Sequence, residues 1–144
     1  MERRYGHRPQ RVLIVDDSSD IREMWRLWLT FWGFQVDEAQ NGHEALDRAR
    51  SHRPDLVLMD LWMPVLDGLA ATERLKADPA TAQVPVLALS AYTLPSAVDR
   101  ALAAGCDSFL PKPVDPDHLL EKIRQMFGQR AALARSEERP SDLH

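Results

Sequence analysis

The sequence predicts an α/β protein, a doubly wound parallel sheet of (βα)5 form. Two observations carry that prediction. Short, near-continuous apolar runs, which suit strands buried on both faces, alternate with helix-like segments five times along the chain. The connections between them are short and carry capping or turn residues, so each strand leads through a helix to a parallel neighbour.

The first strand is Arg11 to Val15 (R-V-L-I-V), which ends in Asp16-Asp17. Ser18, Ser19 and Asp20 offer N-cap chemistry for a helix from about Ser19 to Trp32, closed by Gly33. Ile21, Trp25, Trp28 and Trp32 share one face of that helix, with Met24 and Leu29 beside it. Leu27 and Phe31 widen the stripe beyond what one core-facing side requires. Arg22, Glu23, Arg26 and Thr30 supply the polar side.

Phe34 to Ala39 reads as the second strand, Asn41-Gly42 as a turn and His43 to Ser51 as a helix. Pro54 introduces the third strand, Leu56 to Met59, which stops abruptly at Asp60. Pro64 and Gly68 shape a loop into a helix of about Leu66 to Ala77, stopped by Asp78-Pro79. Val84 to Ser90 is the fourth strand, followed by a helix from Pro95 to Ala104 that Gly105 closes. Asp107 to Leu110 is a short fifth strand running into Pro111, Lys112 and Pro113. The last helix spans Asp115 to Phe127, with Gly128 as its expected end. Residues 1–10 read as a flexible basic arm, 11–127 as the domain and 128–144 as a polar tail.

Composition narrows the function classes. Hydrophobic residues make up 44% of the chain and charged residues 28%, which suits a globular domain. The net charge of −4 disfavours wholesale nucleic-acid binding, and only the arm with Arg3, Arg4, Arg8 and Arg11 is basic. One cysteine, Cys106, excludes an intrachain disulfide and a cysteine metal cluster. No apolar stretch approaches the ~18 residues of a membrane span, and no signal-peptide core is present. A cytoplasmic location is the resulting expectation.

Polar groups sit at the strand ends. Asp16 and Asp17 follow the first strand, Asp60 ends the third, Ser90 the fourth, and Lys112 follows the fifth. In such sheets ligands gather beyond the carboxyl ends of the strands. Clustered carboxylates suit Mg²⁺, which keeps several waters and few protein ligands. A lysine charge and a serine hydroxyl suit a phosphoryl group in transfer, and a carboxylate is a competent nucleophile for an acyl phosphate. Taken singly, each of these residues reads as ordinary capping or turn chemistry; together, in order, they specify a site.

Those residues resemble the receiver domain of two-component response regulators over about Arg11 to Phe127. The matching segments are V-D-D at Val15 to Asp17, M-D-L-W-M-P at Met59 to Pro64 with Gly68, and A-L-S-A at Ala88 to Ala91. A-G-C at Ala104 to Cys106 and K-P at Lys112-Pro113 complete them. The resemblance implies a flavodoxin-like sheet in the order 2-1-3-4-5. It implies Asp60 as phosphoacceptor and Asp16, Asp17, Asp60 and the Trp62 backbone carbonyl as ligands of Mg²⁺. Ser90 would be the switch hydroxyl, Phe109 the switch aromatic, and Lys112 the phosphate-binding lysine, with a cis bond to Pro113. Trp62 and Tyr92 occupy positions that flank the site and vary in the family.

By the same resemblance the protein would be a stand-alone signalling receiver rather than an enzyme in the ordinary sense, catalysing only its own phosphorylation and dephosphorylation. Its donor would be a histidine kinase or a histidine phosphotransfer protein docking on the first helix, at Leu27 and Phe31. A downstream protein would bind the face of the fourth helix, fifth strand and fifth helix, and the family also allows a phosphorylation-dependent dimer. The competing class is a phosphohydrolase of the haloacid-dehalogenase type with an aspartyl nucleophile. That chemistry wants a second Asp where this chain has Trp62, and a cap domain for which no insertion is present.

Overall fold

The computed structural model describes residues 8–62, 67–91 and 95–138. By backbone contacts the chain divides into two compact units, Met1–Lys112 and Pro113–His144. In the first unit the elements follow as β1 (Arg11–Val15), α1 (Ser19–Phe31), β2 (Gln35–Ala39), α2 (Gly42–His52) and β3 (Leu56–Asp60). They continue with α3 (Gly68–Ala77), β4 (Val86–Ser90), α4 (Pro95–Ala104) and β5 (Ser108–Pro111). All the strands pair in parallel, in the order β2-β1-β3-β4-β5. That is the predicted architecture.

Strand order and crossover handedness assign the helices to layers. The chain steps from β1 outward to β2, then reverses and steps across β3, β4 and β5. Right-handed crossovers therefore set α1 on one face and α2, α3 and α4 on the other. Leu13, Val15, Val57, Met59, Val86 and Ala88 alternate onto the second face, where Ala45, Leu46, Ala49, Ala71, Leu75 and Ala101 close over them. The intervening Val12, Ile14, Leu56, Leu58 and Leu87 are just as buried, so β1, β3 and β4 are covered on both faces. This is why their sequences read as unbroken apolar runs. The reversal of direction falls between β1 and β3, which puts the ends of those two strands at the crevice.

Local chemistry sets the helix boundaries. Ser18, Asn41 and Asp67 each accept a backbone hydrogen bond from the residue three positions on, capping α1, α2 and α3. Asn41-Gly42, expected as a turn, is thus a cap and the first helical residue. Gly33 and Gly105 take the left-handed conformation that ends α1 and α4, as expected. Pro85 has no N–H to donate, and β4 begins only after it, at Val86.

In the second unit α5 (Pro116–Glu138) buries Leu119, Ile123 and Met126 at helical spacing. Gly128 does not end it. A glycine inside a helix costs roughly 1 kcal/mol relative to alanine, which the following Ala131-Ala132-Leu133-Ala134 run tolerates.

The first helix departs from its expected stripe. Trp25 and Leu29, four apart, are its buried line, whereas Trp28 is 37% exposed and stacks at a tilt on Trp32, with ring centroids 5.4 Å apart. Leu27 and Phe31 are exposed at 61% and 81%. Among the described residues no helix is long and apolar enough to cross a membrane.

Candidate functional site

Each acid at the crevice is delivered by a strand end. Asp16 follows β1 and extends its ladder, its N–H donating to the Ala39 carbonyl at 3.1 Å. Asp60 is the last residue of β3, and the next residue, Leu61, donates to the Leu89 carbonyl at 3.1 Å. Both carboxylates are buried, Asp16 at 4% and Asp60 at 5% exposure, while Asp17 is exposed. Oxygens of Asp16, Asp17 and Asp60 lie within 4.8 Å of one another. The predicted acidic cluster is therefore assembled.

Lys112 reaches this cluster from the far side. Its backbone N–H donates to the Ser90 carbonyl at 2.8 Å, which continues the β4–β5 ladder past Pro111. Its Nζ lies 3.3 Å from Asp60 Oδ1 and 3.8 Å from Asp16 Oδ2. Asp60 Oδ1 also accepts from the Trp62 N–H at 3.2 Å, and Asp16 Oδ1 from the Ser18 N–H at 2.9 Å.

The charge balance within the cluster is incomplete. Burial pushes the Asp60 carboxyl above the ordinary carboxylate range, and the neighbouring Asp17 adds to this against the pull of Lys112 and the Trp62 N–H. Burial likewise raises Asp16, joined by the charges of Asp60 and Asp17, against the Ser18 N–H and Lys112. One lysine does not offset three clustered carboxylates. An all-oxygen donor set, partly open to solvent through Asp17, is the kind that suits a hard dication keeping several waters. The residues present fit Mg²⁺.

Ser90 is 2% exposed, and its strand position places it on the same sheet face as Phe109, which pairs with Ala88 two residues earlier. Phe109 is partly buried and packs against the main core cluster. Trp62 stands at the rim with 53% of its surface exposed. Tyr92, the other predicted flanking aromatic, lies outside the described residues.

The structure gives two further residues their roles at the site. A Cβ on Gly68 would overlap the Asp60 carbonyl oxygen and lie 2.7 Å from Leu61 Cα, so only glycine lets α3 start this close to the end of β3. Arg22, read from the sequence only as part of the polar side of the first helix, donates from Nη1 to the Asp16 carbonyl at 2.7 Å and from Nε to Glu38 Oε1 at 3.0 Å. Its partners are six and sixteen residues away, and no local pattern announces them.

A five-stranded 2-1-3-4-5 sheet with acids and a lysine at its carboxyl edge matches what the family comparison finds. The model of the response regulator receiver domain matches residues 12–124, and the chain belongs to that family. It is 35% identical over 120 residues to the polar-differentiation response regulator DivK of Brucella anthropi, covering 83% of this chain and 98% of that protein. It is 42% identical over 119 residues to the response regulator MprA of Mycolicibacterium vanbaalenii, covering 83% of this chain. There it spans only about half of the relative, 51% of its length. Among solved structures, the receiver domain of the sensor histidine kinase PA1611 from Pseudomonas aeruginosa PAO1 is similar, with a TM-score of 0.78 and 30% identity. That match covers 84% of this chain and 99% of that one, which was described with a magnesium ion coordinated in its active site cleft.

Proposed function

We propose that this receiver accepts a phosphoryl group on Asp60 from a phosphohistidine donor and presents a different partner surface when it carries it. The observation that carries this reading is Lys112 Nζ at 3.3 Å from Asp60 Oδ1, within a cluster whose carboxylate oxygens converge to 4.8 Å. Asp16, Asp17 and Asp60, with the Trp62 backbone carbonyl, would hold Mg²⁺. When bound, the ion supplies positive charge against the carboxylates and the phosphoryl oxygens.

In the transfer a carboxylate oxygen of Asp60 bonds to phosphorus while the bond from phosphorus to the donor imidazole nitrogen breaks, and the imidazole leaves with that electron pair. Lys112 offsets charge on the phosphoryl oxygens. The Ser90 hydroxyl turns to donate to the phosphoryl group, and Phe109 moves into the space it leaves, altering the surface of α4 and β5. No observation favours the phosphohydrolase alternative: the residue two past Asp60 is Trp62, and it is half exposed at the rim.

The donor docks on α1. Met24, Leu27, Trp28 and Phe31 are all large, apolar and exposed on this one helix, and such patches usually mark interfaces. Replacing Leu27 and Phe31 together by Glu should abolish transfer from the cognate histidine donor and leave small-molecule labelling intact. Because both side chains are exposed, stability should shift by no more than about 0.5 kcal/mol per site. A large drop in melting temperature would show instead that they support the core.

The reading as a whole is tested with acetyl phosphate and Mg²⁺, followed on a phosphate-affinity gel. The wild-type protein should acquire one slow-migrating band that chelation of the metal prevents. Labelling that is equally fast in excess chelator would overturn the metal assignment, and no labelling under any condition would overturn the phosphoacceptor reading.

A further inference from the structure

The acidic pair is held from behind by a residue outside the motif. Arg22, one turn into α1, has only 15% of its side chain exposed, and its ion pair among the described residues is with Glu38 rather than with the three clustered carboxylates. Its Nη1 donates to the Asp16 carbonyl at 2.7 Å, at the short end for a charge-assisted N–H donor, and its Nε donates to Glu38 Oε1 at 3.0 Å. Arg26, the next turn along, forms an ion pair with the same carboxylate, its Nε 3.0 Å from Glu38 Oε2. Glu38 on β2 thus receives two guanidinium groups, and only one of them goes on to the site.

The Asp16 carbonyl belongs to the peptide unit that joins Asp16 to Asp17. That unit is planar and contains the Cα atoms of both acids, so fixing its oxygen fixes the roots of both side chains. The unit's other neighbour is already held, since the Asp16 N–H donates to the Ala39 carbonyl at 3.1 Å. Two anchors on either side of Asp16 Cα leave the pair little freedom to swing apart. Without the second anchor, the repulsion between Asp16, Asp17 and Asp60 would favour a splayed arrangement. Splaying is what a metal site with few protein ligands tolerates least.

We infer that Arg22 is a positioning residue for the metal and phosphoryl site, holding the Asp16–Asp17 peptide so that both carboxylates converge with Asp60, with Glu38 fixing the guanidinium in turn. The inference rests on the reading of the acidic cluster as an Mg²⁺ site. Arginine suits the task because its planar fork serves the carbonyl and Glu38 at once, which a lysine ammonium on its flexible stem does not.

The test compares Arg22→Gln with Arg26→Gln. Both remove a guanidinium from Glu38, but only the first releases the Asp16 carbonyl. Mg²⁺ affinity is measured on the unphosphorylated protein by tryptophan fluorescence and calorimetric titration, alongside melting temperature. Outer partners of metal ligands typically contribute on the order of 10–100-fold in affinity. Arg22→Gln should weaken Mg²⁺ binding by at least about tenfold, within that range, whereas Arg26→Gln should stay within about twofold of wild type. Labelling by acetyl phosphate should be slow in Arg22→Gln at low Mg²⁺ and recover at saturating Mg²⁺.

Should Arg22→Gln fail to fold, Arg22→Lys, which keeps the charge but not the planar fork, carries the same comparison with an intermediate loss expected. Unchanged Mg²⁺ affinity in a folded Arg22 variant, or equal losses in the Arg22 and Arg26 variants, would overturn the proposal. A wild-type protein that binds no Mg²⁺ would instead overturn the metal reading beneath it.

Discussion

Asp55 stands just before β3 and Asp60 ends it, so one strand carries the same side chain at both its ends. Asp55 receives Arg8 Nη1 at 3.0 Å and Nη2 at 3.1 Å, a two-pronged pair, and also the Arg11 backbone N–H at 2.8 Å. Among the described residues it belongs to no converging group of three or more acids of the kind Asp60 joins. Asp60 is more deeply buried, shares one lysine with Asp16, and has Asp16 and Asp17 within 4.8 Å. The first arrangement satisfies a carboxylate and tethers the chain ahead of β1 to the start of β3. The second leaves carboxylates short of positive charge at the end where the sheet opens into a crevice. Chemistry is expected where the charge is unbalanced, and stability where it is satisfied.

The largest expected effect that sharpens this contrast is at Lys112. Lys112→Gln removes the only ammonium on Asp60 among the described residues, and should slow labelling by acetyl phosphate on the order of 10²–10³-fold, the usual loss for one preorganised transition-state donor. The matching change at the other end, Arg8→Gln, should leave labelling unaltered. Comparable rates in the two variants, measured under the same Mg²⁺ concentration, would erase the distinction.

Next in size is the lifetime of the phosphoryl group. Hydrolysis needs a water in line with the phosphorus, and Trp62 is a bulky ring at the rim beside Asp60. Misplacing an attacking group by about 1 Å costs on the order of a hundredfold. Trp62→Asn should therefore shorten the lifetime, by up to about a hundredfold, as followed by loss of label after donor removal. A lifetime that stays the same or lengthens would make Trp62 simple cover.

A smaller effect concerns stability and pH. Asp16 is pushed up by burial and by its anionic neighbours, so in the absence of divalent metal its ionised form opposes folding. The sign follows: a folded-state carboxyl raised above its unfolded value favours the fold below the unfolded value, and that contribution is lost as pH rises through the folded one. At neutral pH with chelator, Asp16→Asn should therefore melt above wild type. The gap should narrow as pH falls into the ordinary carboxylate range. A variant that melts below wild type at every pH would show that the Ser18 N–H bond to Asp16 outweighs the repulsion.

Much of this site was legible in the chain itself, for a physical reason. Strands covered on both faces must be apolar throughout, so an Asp at the end of L-V-L-M stands out, as Asp16-Asp17 does after V-L-I-V. The pattern fixed the order of elements and the residues at the carboxyl edge. It did not reveal Arg22, because a polar residue on a helix reads the same whether it meets water or a carbonyl across the fold. Nor did it reveal the pairing of Asp55, because Arg8, its partner, is 47 residues away. In α1 the periodicity found the apolar side but centred it on the tryptophans, and the structure buries Trp25 and Leu29 while leaving Trp28 half out. Gly128 looked like a stop because glycine so often ends helices, yet nothing there demands a left-handed residue.

The measurement that tests the central claim most directly is the intact mass of wild type, Asp60→Asn and Asp55→Asn after incubation with acetyl phosphate and Mg²⁺. Wild type and Asp55→Asn should each gain one phosphoryl group and Asp60→Asn none. Asp55→Asn should also melt lower, by roughly 1 kcal/mol for a charged, partly exposed pair. A phosphoryl group retained by Asp60→Asn, or lost in a folded Asp55→Asn, would contradict the division of roles between the two ends of the strand.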